Sequence, residues 1–468
     1  MNAFPCLFLR VIVMACLLAS RVMAGGTWTP LANTPPGPVG VMLLLSDGTV
    51  IAENNDDGSI NGPAWYRLTP NGAGSYVNGT WSAIAPMNDG RLFFSSQVLK
   101  DGRVFVAGGE YPNGGAGQSA AEVYGPLTNT WTRAPALSPS QFISDAESTT
   151  LPNGDVLVAP VVANPYLTTY IWHLASNTWT AGPQSQNNLN EAAWVKLPDG
   201  SILTIDTGSF STERYIPSLN QWIPDTDAPV DLYDPYGDET GPGFLLPNGK
   251  AFFIGSTGHT AIYTPSGGTA NGTWTAGPDI PNAQGMPDAP GAMLPNGNLL
   301  IATGPAPTSK STLFIGPTSY YEYDYVSNTF TQVGAPGGAS TEATAVFQRG
   351  MLVLPDGSVL SSVFTNRLHV YTPNTGSPLA AGKPTITSLI QNGNGSFHVI
   401  GTKLNGISEG AAYGDDAQMA TNYPIVRFTD SLGTIRYART FNWSSTGVQT
   451  GNTPVSTDFT LPAGLPLT

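Results

Sequence analysis

The chain has 468 residues, of which 54 are Gly and 41 are Pro, about one residue in five where about one in eight is usual. Helix interiors tolerate neither residue, which argues against a mainly helical fold, while 41% hydrophobic and 10% aromatic residues supply a core that a disordered chain would lack. With 32 Asp plus Glu against 18 Lys plus Arg and no basic cluster, nucleic acid and anionic membrane surfaces are poor partners, and what remains is a turn-rich, all-β protein.

Residues 1–24 read as an export signal: Arg10 precedes a short apolar run, Val11 to Ala19, and Val22-Met23-Ala24 offers small residues for cleavage. The run is too short to span a bilayer, and no later stretch replaces it, so an extracellular protein without membrane insertion is expected, with periplasm or cell surface as alternatives. Both cysteines, Cys6 and Cys16, fall in this segment. The exported chain then has no disulfide, no Cys-bound metal and no thiol nucleophile.

Downstream, a Leu-x-[Asp/Asn]-Gly segment recurs seven times, at 45–48, 99–102, 151–154, 197–200, 246–249, 294–297 and 354–357, with turn glycines 46 to 60 residues apart. Asp-Gly and Asn-Gly supply the positive φ of a tight hairpin, and a β-type run follows each, such as Arg103-Val-Phe-Val-Ala. Each unit then has an aromatic strand, around Tyr66, Tyr124, Tyr170, Tyr215, Tyr263, Tyr323 and Tyr371. A fourth strand carries Trp81, Trp131, Trp179, Trp222, Trp274 or Phe330, and is missing from the seventh unit. Four short strands per unit, repeated radially, is propeller arithmetic. Gly26-Thr27-Trp28-Thr29-Pro30 is expected to supply the missing outer strand of the last blade.

These blades resemble kelch repeats, and the layout resembles the galactose oxidase-like family, in which a seven-bladed kelch propeller precedes an immunoglobulin-like domain. The resemblance implies a propeller over 25–382. From Lys383 the pattern changes to alternating strands without the turn motif, as in Pro384-Thr-Ile-Thr-Ser-Leu-Ile390 and Phe397-His-Val-Ile400, which implies the immunoglobulin-like domain over 383–468, incomplete and with an unpaired edge.

Family members hold one copper with two Tyr and two His, one Tyr being cross-linked to Cys. Matched motif by motif, those positions fall here on Phe93, Phe347, Gln348 and Gln418, and the cross-linking Cys does not exist in the exported chain. A copper oxidase is therefore not expected. The four histidines, His173, His259, His369 and His398, lie away from the motif and read as satisfied strand or loop residues. No nucleophile elbow, zinc helix or phosphate loop is present. The function expected is a non-catalytic extracellular binding or adhesion module, with carbohydrate or another cell-surface ligand as partner and the chain a monomer. The alternative is an extracellular oxidoreductase with an atypical site.

Counting back nine residues from each turn glycine gives Val39, Phe93, Asp145, Glu191, Thr240, Asp288 and Gln348. Phe93 and Gln348 match ligand positions of the family at the channel mouth, so the register marks that mouth. Asp145, Glu191, Asp288 and the adjacent Glu239 then put carboxylates on four successive blades. The expected site is a ring of Phe93, Asp145, Glu191, Glu239, Asp288 and Gln348, open to calcium or to sugar hydroxyls. The equally weighted alternative is that each carboxylate only bonds neighbouring backbone. Asn54-Asn-Asp-Asp-Gly58 reads as a solvated turn.

Overall fold

All seven Leu-x-[Asp/Asn]-Gly segments form the same turn in the computed structural model, which describes residues 25–55, 62–110, 119–138, 141–144, 146–161, 163–237, 239–374, 376–412 and 422–465. Each turn glycine has φ between 77° and 91°. Each donates its N–H to the leucine carbonyl three residues back, at 2.8–2.9 Å. The acidic or amide residue has its own task. The side-chain oxygens of Asp47, Asp101, Asn153, Asp199, Asn248, Asn296 and Asp356 each accept the N–H two residues on, at 2.9–3.1 Å. Such Asx-turns preset the reversal before any strand pairs.

Among the described residues the strands around these turns sort into seven antiparallel sheets, five of four strands and two of five. The first holds Val39–Leu44, Val50–Asn54, Trp65–Thr69 and Thr80–Ile84, and later sheets repeat that order. In the sixth the inner edge is split between Gln284–Gly285 and Gly291–Met293. The seventh takes Gly350–Val353, Val359–Ser362 and His369–Thr372, and its fourth strand is Thr27–Pro30, with Trp28 opposite Tyr371. The Trp28 ring lies 5.1 Å from Tyr320 and 4.9 Å from Tyr371, and its Nε1 donates to Gly334 O at 2.6 Å.

The outer Trp stands opposite an aromatic of the third strand in most sheets: Tyr124 with Trp131, Tyr215 with Trp222, Tyr263 with Trp274, and Tyr323 with Phe330. Two of the tyrosines read from the sequence do not hold that position. Trp81 faces Leu68 rather than Tyr66, and Trp179 faces Trp172 rather than Tyr170, because each of these tyrosines sits two residues before the position opposite the Trp.

Apolar side chains gather between sheets rather than at one centre. Leu43, Ile51 and Trp65 meet Phe94, Val104 and Tyr124; Phe105 meets Val156 and Trp172; Leu157 meets Trp194 and Tyr215. Val195 and Leu203 meet Leu245 and Phe253, which side leads on to Phe252 against Tyr323 and then Met351. Leu352 and Leu360 return to Val39 and Met42 of the first sheet, closing the ring. The fold is all-β, a β-propeller, and no helix among the described residues is long and apolar enough to cross a membrane.

After the last sheet, Thr385–Gln391, Phe397–Thr402, Val455–Phe459 and Thr440–Phe441 form one sheet, and Val426–Thr429 pairs with Ile435–Ala438 in another. Val399, Ala438 and Phe459 make their small shared core. Thr385–Gln391 is an edge strand whose Ile386 is 68% exposed, with Leu389 and Ile390 also exposed. This unit rests on the hairpin turns of the propeller. Ser46 Oγ donates to Thr440 O, Thr446 Oγ1 to Leu151 O, and Gln449 Nε2 to Pro247 O, at 2.7–2.9 Å. Its strand Glu409–Ala412 enters the channel and pairs with the inner strand Gly243–Leu245, running from Leu245 towards Gly243 and so away from the turns. The turn end of the channel is thereby closed. The opposite end, where the inner strands begin, is the mouth.

Candidate functional site

A cavity at the mouth is lined by Gly40, Val41, Glu53 and Asn55 of the first blade, Leu92 and Phe93 of the second, Asp288 of the sixth, and Phe347, Arg349, Gly350 and Phe364 of the seventh. Side chains from the second and sixth blades can share a cavity only across the axis, so it sits on the channel.

Glu53 owes its place to an irregular register. The pairing of Val39–Leu44 with Val50–Asn54 shifts between Val39 and Met42, leaving Gly40 and Val41 as a bulge opposite Glu53. A Cβ at Gly40 would stand 2.8 Å from Glu53 Oε2, so only glycine leaves room for the carboxyl. Glu53 is 1% exposed, and its Oε1 has no hydrogen-bond partner. Burial pushes its pKa well above the usual carboxylate range, against smaller downward pulls from the Val41 N–H and the Arg91 charge.

Arg349, 4% exposed, lies on the same cavity. Its Nη1 is 2.9 Å from Glu342 Oε2 and its Nη2 donates to Thr344 Oγ1, while its Nε has no partner. Glu342 neutralises the guanidinium, so the cavity is offered a fixed donor rather than a free positive charge. Three phenyl rings form the remaining wall. Phe93 and Phe364 are 6.5 Å apart, Phe364 and Phe347 6.4 Å, and Phe347 continues at 5.3 Å to Phe314, which is 40% exposed.

The residues expected from the nine-residue register divide. Phe93 and Asp288 line the cavity. Gln348 lies in the short 3-10 turn Val346–Gln348, between two lining residues but not itself on the wall. Glu191 and Thr240 are tied into the blade ring by main chain: Thr240 Oγ1 donates to Glu191 O at 2.7 Å, and Asp288 N–H to Thr240 O at 3.3 Å. Glu239 is buried, with its N–H on Asp234 Oδ2 and its carbonyl accepting from Ser256 Oγ. Asp145 and Gln418 lie outside the described residues. What the register does mark is a backbone feature, since Phe93, Glu191 and Asp288 share left-handed φ values of 47–54°.

Glu53, Asn55, Arg349 and Phe364 were missed because they fall outside the nine-residue register. A carboxylate at the end of the apolar run Val50-Ile51-Ala52 was the available signal. The reading of Asn54–Gly58 as a solvated turn is corrected at its start: Asn54 and Asn55 are buried, Asn54 Oδ1 accepts from Tyr66 OH at 3.2 Å, and Asn55 reaches the cavity, because the second strand runs on into the mouth. Residues 56–58 lie outside the described residues.

The side chains present do not fit copper. Phe93 and Phe347 have no ligating atom, and among the described residues no three His, Cys, Asp or Glu side chains come together as a metal would require. Three histidines pair with carboxylates elsewhere: His173 with Asp155, His259 with Asp279, and His398 with Asp458, at 2.7–2.8 Å. His369 sits in the seventh blade, where burial lowers its pKa.

At the closed end, Lys196 of the fourth blade is buried and Glu409 of the entering strand is half-buried. Burial pushes the lysine down and the glutamate up, and each charge partly offsets the other's shift. Lys196 Nζ also donates to Thr446 O at 3.2 Å. The pair joins the two parts of the chain.

Fold and site together define a β-propeller with one end closed by a second β-structured unit and a partly apolar cavity at the other. No family model matches the sequence, and no curated protein matches it. Among solved structures, the chain is similar to a fungal alcohol oxidase of the AA5 family in complex with copper, with a TM-score of 0.59 and 15% identity over 92% of this chain and 96% of that one. At that identity the likeness is one of fold. A streptogramin B lyase (TM-score 0.48, 14% identity) covers 75% of this chain and 98% of its own. A catalytically inactive virginiamycin B lyase from Staphylococcus aureus with quinupristin (TM-score 0.49, 11% identity) covers 74% and 99%.

Proposed function

We propose that this chain is an exported, non-catalytic binding module of kelch type, with a seven-bladed propeller over 25–382, an immunoglobulin-like domain over 383–468, and a mouth that takes neutral carbohydrate. The observation carrying this reading is the mouth cavity itself. It joins an unpartnered acid oxygen and an unpartnered guanidinium N–H to a wall of phenyl rings. Sugars present hydroxyls that both donate and accept, beside C–H faces that rest on aromatic rings.

A glycan array probed with the purified protein tests the reading, with calorimetry on each hit. Loss of binding in Phe364→Ala, with the thermal midpoint kept, supports the mouth as the site. Copper titration with a peroxide assay on alcohols runs beside it. One tightly bound copper with turnover would replace the binding reading with an oxidoreductase.

A further inference from the structure

We infer, resting on the export reading above, that cleavage after Ala24 creates a structural ion pair: the amino group freed on Gly25 docks against the buried carboxylate of Glu322 and locks the seam between the sixth and seventh blades. Residues 1–24 themselves lie outside the described residues.

The slot at the seam is shaped for a chain end without side chains. Gly25 and Gly26 are half-buried there. A Cβ on Gly25 would stand 2.3 Å from Val333 Cγ1, and one on Gly26 would stand 2.3 Å from Thr372 O and 2.6 Å from Tyr371 Cζ. Gly25 also has a φ of 129°, which a side chain would strain. First residues of a domain are usually loose unless something ties them down. The two glycines that would open the exported chain are instead fitted between blades.

A short relay ties them. Gly26 N–H donates to the Tyr371 hydroxyl at 2.5 Å, and that hydroxyl donates to Glu322 Oε1. Glu322 stands on the third strand of the sixth blade, Ser319–Asp324, and is 7% exposed. Among the described residues the Tyr371 bond is the one polar contact of its side chain, and no cation pairs with it. Glu122 and Asp225, also buried, have Arg91 and Arg214 at 2.7 and 2.5 Å. Glu322 is thus a buried carboxylate with one oxygen still to be answered, and a buried charge needs a partner. The Gly25 nitrogen is one peptide unit from the Gly26 nitrogen that already joins the relay, and the Cβ position of Gly25 is 3.2 Å from the Tyr371 hydroxyl. A turn of the Gly25 backbone brings the two together.

Before cleavage that nitrogen is an uncharged amide. An endoprotease of the export machinery hydrolyses the Ala24–Gly25 bond with one water. The C–N bond breaks, and the water hydroxyl goes to the Ala24 carbonyl carbon, which leaves as a carboxylate. The Gly25 nitrogen takes the other hydrogen of water and the proton that the new acid gives up. An α-amino group has a pKa of about 8, so in neutral solution it is an ammonium, with the charge and donors that Glu322 lacks. Processing therefore tightens the ring.

The experiment produces the full chain, with residues 1–24, in a secreting host as wild type, as Glu322→Gln, as a form with two serines inserted after Ala24, and as the combination. Intact mass fixes the first residue of each secreted product. Glu322→Gln keeps an acceptor for Tyr371 and loses the charge, whereas the serines carry the amine away and leave Glu322 in place. Each single change is expected to lower the thermal midpoint by about 3 °C, and the combination by no more than either alone. Acetic anhydride should acetylate the α-amine of folded wild type about tenfold more slowly than that of either single variant. A wild type that begins at Gly25 and gives these results supports the ion pair, and if Glu322→Gln fails to fold, the serine form against wild type carries both readouts. A wild type that begins at Gly25 but shows additive losses, an unchanged midpoint in the serine form, or equal acetylation overturns the ion pair and leaves the export reading standing. A product that begins at any other residue overturns the ion pair together with the cleavage site.

Discussion

Replacing Trp28 by Ala should loosen the ring at the seam where the first strand joins the last blade. The side chain makes two aromatic contacts, with Tyr320 and Tyr371, and one hydrogen bond, from Nε1 to Gly334 O. Full burial of a Trp would set the loss at about 3–5 kcal/mol; this ring is half-buried, so about 3 kcal/mol is the expectation. With an unfolding entropy of about 2.1 cal/mol/K per residue, a chain of this length melting as one unit loses about 3 °C in its thermal midpoint. Trp81→Ala is the control. It removes the same residue type from an outer strand, but one opposite Leu68 and with an Nε1 that has no partner. Calorimetry should therefore rank Trp28→Ala as the more damaging. Hydrogen exchange should also speed up at Val370 and Thr372, the ladder partners of the Trp28 strand, without a matching change in the first blade. Equal midpoints for the two variants, with exchange at residues 369–372 unaltered, would refute the seam as a point of special weakness.

Gly200→Ala tests the turn alone. Its φ is 83° and nothing lies within 4 Å of the added Cβ, so denaturant titration should show a backbone cost of about 1–2 kcal/mol and no packing cost. Lys196→Met should destabilise by about 1–3 kcal/mol, by removing the Nζ bond to Thr446 O and the charge that offsets the burial of Glu409, whereas Lys196→Met with Glu409→Leu should restore part of the loss. Glu213 is buried between blades, and burial raises its pKa to about 7 against the N–H groups of Gln186 and Asn187. A carboxyl whose folded pKa is raised gives its stability below the unfolded pKa of 4.5, and that stability is lost as pH rises to about 7. Comparing wild type with Glu213→Gln by denaturation across that window should show a decline of at most about 3 kcal/mol in wild type alone.

The turns were legible because a single chemical need, a glycine at positive φ after a side chain that can accept the N–H two residues on, is written in residue type. The place of Trp28 could be read from the same repeats, since the seventh unit lacks an outer aromatic strand and a Thr-Trp-Thr stands alone at the other end. The mouth was less legible. Counting from the turn glycines tracks the inner strands, and it reached Phe93 and Asp288 because those strands begin at the cavity. It could not reach Glu53, which enters from the second strand through a bulge that no spacing rule announces. Arg349 is one residue beyond the register and was hidden behind Gln348. Of the run of carboxylates that suggested a ring, Asp288 lines the cavity, while Glu191 and Glu239 are anchored there by main-chain bonds.

Tyr371 accepts the N–H of Gly26 from 345 residues away and itself donates to Glu322. Bringing such distant segments together costs about 5 kcal/mol of chain entropy before any contact repays it. During synthesis the Trp28 strand emerges first and must wait, unpaired, until nearly the whole propeller has followed. Folding therefore has a late, concerted step on which the seventh sheet depends. The same separation works in reverse once the ring is shut: opening the seam means parting Thr27–Pro30 from His369–Thr372 along the whole ladder, since neither strand is joined to the other by a turn.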